Sequence, residues 1–85
     1  MQERKLVVNL ENGLEARIAT KFVQMASSFN SEITIVKQEK SVIGKSIMGV
    51  MALAVRKGER ITLITDGNDE QEAIERLENF LSNRL

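Results

Sequence analysis

The sequence predicts an α+β fold: an open-faced sandwich whose four-stranded, mainly antiparallel sheet carries three helices on one face. Three observations lead there. Short runs with period-two alternation are interleaved with stripes of helical period, in the order β-α-β-β-α-β-α. The 85 residues suffice for one core, and so for a single domain over residues 1–85. No linker, repeat or low-complexity tract breaks the alternation.

Leu6, Val8 and Leu10, with Val7 between them, make Lys5 to Leu10 the first strand. Asn12-Gly13 ends it, because both residues tolerate the positive φ of a turn. From Ala16 to Phe29 the apolar positions Ile18, Phe22, Met25 and Phe29, flanked by Ala19, Val23 and Ala26, form one helical stripe. Asn30-Ser31 interrupts that period. Glu32 to Lys37 and Lys40 to Ile43 follow as two strands, with Gln38-Glu39 as a tight hairpin turn. Gly44-Lys45-Ser46 stops the hairpin. Ile47 to Val55 is the second helix, with Ser46 as N-cap and Gly58 at the reversal beyond it. Ile61 to Thr65 is the last strand and Asp66-Gly67-Asn68 a turn. Asp69 and Glu72 have capping-box spacing ahead of a final helix striped by Ala73, Ile74, Leu77, Phe80 and Leu81. A right-handed crossover through the first helix leaves a gap between the first two strands, which the last strand fills as an antiparallel insertion.

Composition excludes several kinds of chemistry. There is no cysteine, hence no disulfide, thiolate metal site or thiol nucleophile, and no histidine, hence no imidazole base, ligand or phosphohistidine. Any enzyme mechanism would rest on carboxylates, Ser, Thr, Lys or Arg. Twelve basic residues balance twelve acidic ones, so nothing in the charge points to nucleic acid or an anionic membrane. No apolar run approaches the ~20 residues of a membrane span, and the opening Met-Gln-Glu-Arg-Lys leads into no signal core. The expectation is a soluble, cytoplasmic domain without cofactor or metal.

Ile47-Met48-Gly49-Val50-Met51-Ala52-Leu53-Ala54-Val55 contains no polar side chain. One sheet covers only one face of such a helix. If Val50, Leu53 and Ala54 face it, then Ile47, Met48 and Met51 lie near the surface as an adaptable interaction patch. A buried strand or ordinary core helix explains the run equally well. Ser46 reads first as an N-cap. A phosphate on it would meet free N–H groups and the positive helix end, with Lys45 as a counter-charge. Gly44-Lys45-Ser46 also echoes the end of a P-loop, but Glu39 stands where that motif needs glycine. Glu15 and Arg17 open the first helix as capping charges. Asp69, Glu70, Glu72, Glu75 and Glu78 lack metal-ligand spacing and read as the solvated face of the final helix. The three phenylalanines read as core rather than as base-stacking platforms.

Two stretches carry a resemblance. Gly13-Leu14-Glu15-Ala16-Arg17-Ile18-Ala19-Thr20 is similar to the Gly-Leu-His-Ala-Arg-Pro-Ala-Thr phosphorylation loop of the HPr family, the phosphocarriers of the bacterial sugar phosphotransferase system. Lys45-Ser46-Ile47-Met48-Gly49-Val50-Met51 resembles the regulatory serine segment of HPr from Gram-positive bacteria. The likeness covers the whole chain and implies the family's open-faced β-sandwich. Two departures qualify it: Glu15 stands at the phosphorylatable histidine and Ile18 at the proline. That combination is similar to the Crh-like branch, which keeps the serine and lacks the histidine. The resemblance implies a non-enzymatic protein of carbon catabolite repression, phosphorylated on Ser46 by HPr kinase/phosphorylase and then acting as corepressor for a CcpA-type repressor. It implies partner docking at Glu15, Arg17, Thr20, Gln24, Lys45, Ile47, Met48 and Met51. The alternatives are a carrier forming an acyl phosphate on Glu15, a carboxylate mimic of phosphohistidine, and an orphan binding module whose serine is only a cap.

Overall fold

The structure is a computed structural model and describes residues 1–84. The chain runs β1 (Gln2–Val7), α1 (Ala16–Ser27), β2 (Glu32–Lys37), β3 (Lys40–Ile43), α2 (Ile47–Ala52), β4 (Arg60–Asp66) and α3 (Glu70–Leu81). The sheet order is β1-β4-β2-β3, so the last strand does fill the gap between the first two. All three pairings are antiparallel. The register sets continuous rows across the sheet: Lys5 faces Thr62, Thr62 faces Val36, and Val36 faces Ser41. Because side chains alternate, that row lies on one face and its neighbours on the other.

The core fills the helix side of the sheet. Leu6, Ile33, Ile35, Ile61 and Leu63 are buried there beneath Phe22, Ile74, Leu77 and Leu81. Phe22 and Phe80 join α1 to α3 with ring centroids 6.3 Å apart. The opposite face bears no helix. It shows Lys5, Val7, Thr34, Val36, Arg60, Thr62 and Ile64, all exposed or half-buried.

Several boundaries differ from expectation. The first strand spans Gln2–Val7 rather than Lys5 to Leu10. Its polar start is permitted because Glu3 and Lys5 lie on the uncovered face. Val8 and Leu10 stay buried, but the chain turns away at Asn9, whose N–H donates to Leu81 O at 2.9 Å. The first helix stops at Ser27, where Ser28 donates both its N–H and its hydroxyl to Met25 O. The second helix ends at Ala52; Ala54 has φ 52° and faces solvent rather than the sheet.

The acidic residues of α3 also depart from a uniform solvated face. Asp69 makes no side-chain cap. Its carboxylate instead accepts the Asn30 N–H at 2.8 Å, the Ser31 N–H at 2.9 Å and the Ser31 hydroxyl, pinning the α1–β2 loop. Glu70 accepts the Gly67 N–H at 3.1 Å, so the back-bond of the helix start sits there rather than on Glu72. Glu78 accepts from Arg4 and ties α3 to β1.

Gly13 positions the loop ahead of α1. Its φ is 66°, and a Cβ there would lie 2.2 Å from Val55 O and 2.7 Å from Arg56 Cα. Gly58 has φ 90° but open space around it. Gly13→Ala therefore combines backbone strain with collision, and Gly58→Ala carries strain alone. In chemical denaturation the first variant should lose at least about 2 kcal/mol and the second about 1 kcal/mol.

The Ser31 hydroxyl and then the Asn30 N–H hold the Asp69 carboxyl below its usual value. A carboxylate with a lowered folded-state pKa contributes fully above its unfolded value, about 4, and progressively less as pH falls through the folded one. In acid titrations of stability, Asp69→Asn should lie below the parent at neutral pH. The gap between the two curves should narrow as pH falls below the unfolded value, about 4.

Candidate functional site

The candidate site is the face shared by α1 and α2. Its first part is Ser46, which starts α2 from an extended backbone (φ −109°, ψ 116°). Its Oγ accepts the Gly49 N–H at 3.1 Å, so the capping role expected of Ser46 is present. Ser46 O accepts the Val50 N–H at 2.9 Å and closes the first helical turn. Gly49 keeps the hydroxyl uncrowded, since a Cβ there would lie only 3.3 Å from Ser46 Oγ.

The other end of α2 is secured by Lys37 at the close of β2. Its Nζ donates to Leu53 O at 3.0 Å and to Ala54 O at 3.1 Å, satisfying carbonyls that the helix leaves unpaired. The same Nζ lies 3.0 Å from Glu59 Oε1. The Glu59 carboxyl is lowered, first by the Arg56 N–H that it accepts and then by Lys37. The sequence reading missed Lys37 because a lysine ending a strand looks like an ordinary exposed charge. Its only signal is cation chemistry, and the chain fold alone reveals the carbonyls it meets.

Two further links lay α2 alongside α1. Lys45 donates from Nζ to Phe29 O at 2.8 Å, joining the start of α2 to the end of α1. Leu14 donates its N–H to Val55 O at 2.9 Å, joining the start of α1 to the end of α2. The two helices thus run in opposing directions. Ser46 and Glu15 fall at opposite ends of the face they share. Lys45 Nζ, next to Ser46 in the chain, spends one N–H on that carbonyl and has no carboxylate partner among the described residues.

The apolar part is exposed, which decides between the two readings of the segment. Val50 and Leu53 are buried, while Ile47 is 40%, Met48 83% and Met51 42% exposed. On α1, Arg17, Thr20 and Gln24 follow one another at helical spacing along the border of the buried stripe Ala19, Phe22, Val23 and Ala26. Arg17 and Gln24 are exposed, and Thr20 bonds back to Ala16 O at 2.9 Å. Glu15 is the N-cap of α1 yet makes no side-chain capping bond. Among the described residues, Glu15 and Arg17 form no ion pair with each other or with any other residue.

Chemically, the face offers one accessible hydroxyl at a helix start, an uncovered apolar patch beside it, and a free carboxylate and guanidinium at the far end. Among the described residues no His, Cys, Asp or Glu cluster could hold a metal ion. Among the described residues no carboxylate bonds to Ser46 Oγ to act as its base. Among the described residues no helix is long and apolar enough to cross a membrane.

Comparisons with known proteins agree over the full length. The PTS-HPr family, described as "PTS HPr component phosphorylation site", matches residues 2–83. The HPr-like protein Crh of Halalkalibacterium halodurans is 56% identical over 81 residues, covering 95% of this chain and 96% of that one. The HPr-like protein Crh of Bacillus subtilis is 46% identical over 85 residues, with both chains wholly covered. Among solved structures, HPr-C-His from Thermoanaerobacter tengcongensis superposes with a TM-score of 0.93 at 42% identity, covering 98% of this chain and 93% of that chain.

The geometry makes a prediction about the hydroxyl alone. Ser46→Ala removes the acceptor for the Gly49 N–H and should cost about 1 kcal/mol in urea denaturation. Ser46→Asp keeps an acceptor at the cap and adds a charge suited to the helix dipole. Its stability should stay within about 0.5 kcal/mol of the parent.

Proposed function

The chain belongs to the HPr family, and on that premise we propose that it is a regulatory module switched by phosphorylation of Ser46 rather than a carrier of phosphate. The observation that carries this reading is the adjacency of the Ser46 hydroxyl to the uncovered Ile47, Met48 and Met51. A kinase of the HPr kinase/phosphorylase type transfers the γ-phosphoryl group of ATP to Ser46 Oγ. The hydroxyl proton leaves to a base on the kinase, a new O–P bond forms, and ADP departs. This chain is the substrate of that step and supplies no base of its own, in keeping with a protein that is not an enzyme.

The product carries nearly two negative charges at the positive end of α2, beside an apolar patch. That composite surface suits a repressor of the CcpA type, for which the phosphorylated chain acts as corepressor. Lys45 keeps its charge and two further N–H donors while bonded to Phe29 O, and cations of the repressor complete recognition of the phosphate. Arg17, Thr20 and Gln24 extend the docking face along α1. At Glu15 a carboxylate stands where the family carries its histidine, and with no histidine anywhere the phosphoimidazole relay has no acceptor here.

Incubation with HPr kinase/phosphorylase and ATP should add one phosphoryl group to the chain and none to Ser46→Ala, as read by intact mass. The phosphorylated form should bind the repressor at least about tenfold more tightly than the unmodified one, and salt should weaken the complex. Exposure to enzyme I and phosphoenolpyruvate should leave the mass unchanged. A phosphoryl group on Glu15 in that experiment would overturn the assignment in favour of a carrier.

A further inference from the structure

With no Cys, His, Trp or Tyr in the chain, a mild two-electron oxidant finds only the thioethers of four methionines. Their surroundings differ. Met25 is half-buried on α1 and packs against the core. Met51 is 42%, Met1 73% and Met48 83% exposed. Met1 stands ahead of β1, at the sheet edge opposite β3, the strand that α2 adjoins. Of the two most accessible thioethers, only Met48 therefore lies beside Ser46.

The uncovered patch of α2 is built from Ile47, Met48 and Met51, so two of its three large apolar side chains carry sulfur. Oxidation turns a flexible apolar side chain into a polar, chiral one whose S=O oxygen accepts hydrogen bonds. A partner that covers the patch would strand that oxygen away from water, and an unpaired buried acceptor is costly. The fold does not share this cost. Met48 lies outside the core, and the contacts that hold α2, from Ser46 Oγ to Gly49 and from Lys37 to Leu53 and Ala54, make no use of its side chain. Loss of docking is thus separable from loss of stability, which oxidation at the packed Met25 would not allow.

The oxidant is a hydroperoxide. With hydrogen peroxide, the Met48 Sδ lone pair attacks one peroxide oxygen, and the S–O bond forms as the O–O bond breaks. The proton left on the transferred oxygen passes to the released hydroxide, which departs as water. Sulfur loses two electrons and the peroxide gains them. A thiol-dependent methionine sulfoxide reductase restores the thioether, so the change is reversible. We propose that Met48 is a site of reversible oxidation by hydroperoxides, and that the sulfoxide cancels docking of the Ser46-phosphorylated chain. The site follows from exposure and composition; its consequence rests on the docking of the phosphorylated chain to its repressor proposed above.

The test treats the Ser46-phosphorylated full chain with hydrogen peroxide for graded times and maps the added oxygen by peptide mass. Met48 should gain one oxygen before Met51 and before Met25, while the urea midpoint stays in place. Affinity for the repressor should fall at least about tenfold in step with Met48 sulfoxide and return after sulfoxide reductase treatment. Met48→Leu keeps Met1 and Met51, and its affinity, compared before and after peroxide, should not change. Met48→Gln should weaken binding with no peroxide present. Oxidation of Met51 or Met25 ahead of Met48 would overturn the proposal. So would a peroxide-dependent loss that persists in Met48→Leu, or undiminished binding by a chain carrying Met48 sulfoxide. Failure of the phosphorylated chain to bind the repressor before any peroxide is added would instead overturn the docking reading, and with it the consequence assigned to Met48.

Discussion

A helix of six residues does not hold itself together in water, because nucleation costs more than so few hydrogen bonds return. α2 is such a helix, and the rest of the site depends on how its ends are held. Ser46 Oγ takes an orphan N–H at one end, and Lys37 Nζ takes two orphan carbonyls at the other. Lys45 to Phe29 and Leu14 to Val55 then fasten it lengthwise to α1. Buried Val50 and Leu53 give the sheet side of α2 its only large contribution to the core. The remaining apolar residues have nowhere to go but outward. An exposed patch is thus the consequence of placing an all-apolar helix over a sheet that covers one side.

The same one-sidedness shapes the rest of the molecule. All three helices lie on one face, so the other face and the two sheet edges meet solvent. Rows such as Lys5–Thr62–Val36–Ser41 show how the uncovered face mixes charge, hydroxyl and small apolar groups without losing strand character. The ends of the α1–α2 face keep their charges separate: Glu15 and Arg17 at one end, Ser46 at the other. The modification proposed for Ser46 would sit at its own helix end, away from Glu15. The carboxylate at position 15 carries half the charge of a phosphoryl group and leaves Arg17 free, so it need not compete for that guanidinium.

Much of this was legible in the residues themselves. Period-two and helical patterns gave all seven elements and the inserted position of β4, because each element buries one regular face. Ser46 announced its cap by standing directly before an apolar run, and that run announced its exposed half by being too apolar for one sheet to cover. Boundaries were less legible. Leu10 keeps strand periodicity after the chain has left the sheet, and Ala54 ends a helix in a left-handed conformation that its side chain does not signal. Long-range polar contacts were invisible: the spacing of Asp69 suggests a helix cap, yet its carboxylate reaches residues 30 and 31 across the chain. Lys37 and Lys45 likewise act on carbonyls sixteen or seventeen positions away. Periodicity reports what a residue does within its own element and says nothing of such partners.

The central claim is that α2 is already built in the unmodified chain, so that the phosphate proposed for Ser46 would add charge to a ready surface instead of reshaping it. Hydrogen exchange of the amides from Gly49 to Val55, compared in the unmodified and Ser46-phosphorylated chain, tests this directly. The account predicts protection that is unchanged or slightly raised at Gly49 and Val50 and unaltered from Met51 to Val55. Protection appearing across the whole helix only after phosphorylation would contradict it. That outcome would mean the two end contacts do not hold α2 in the free protein.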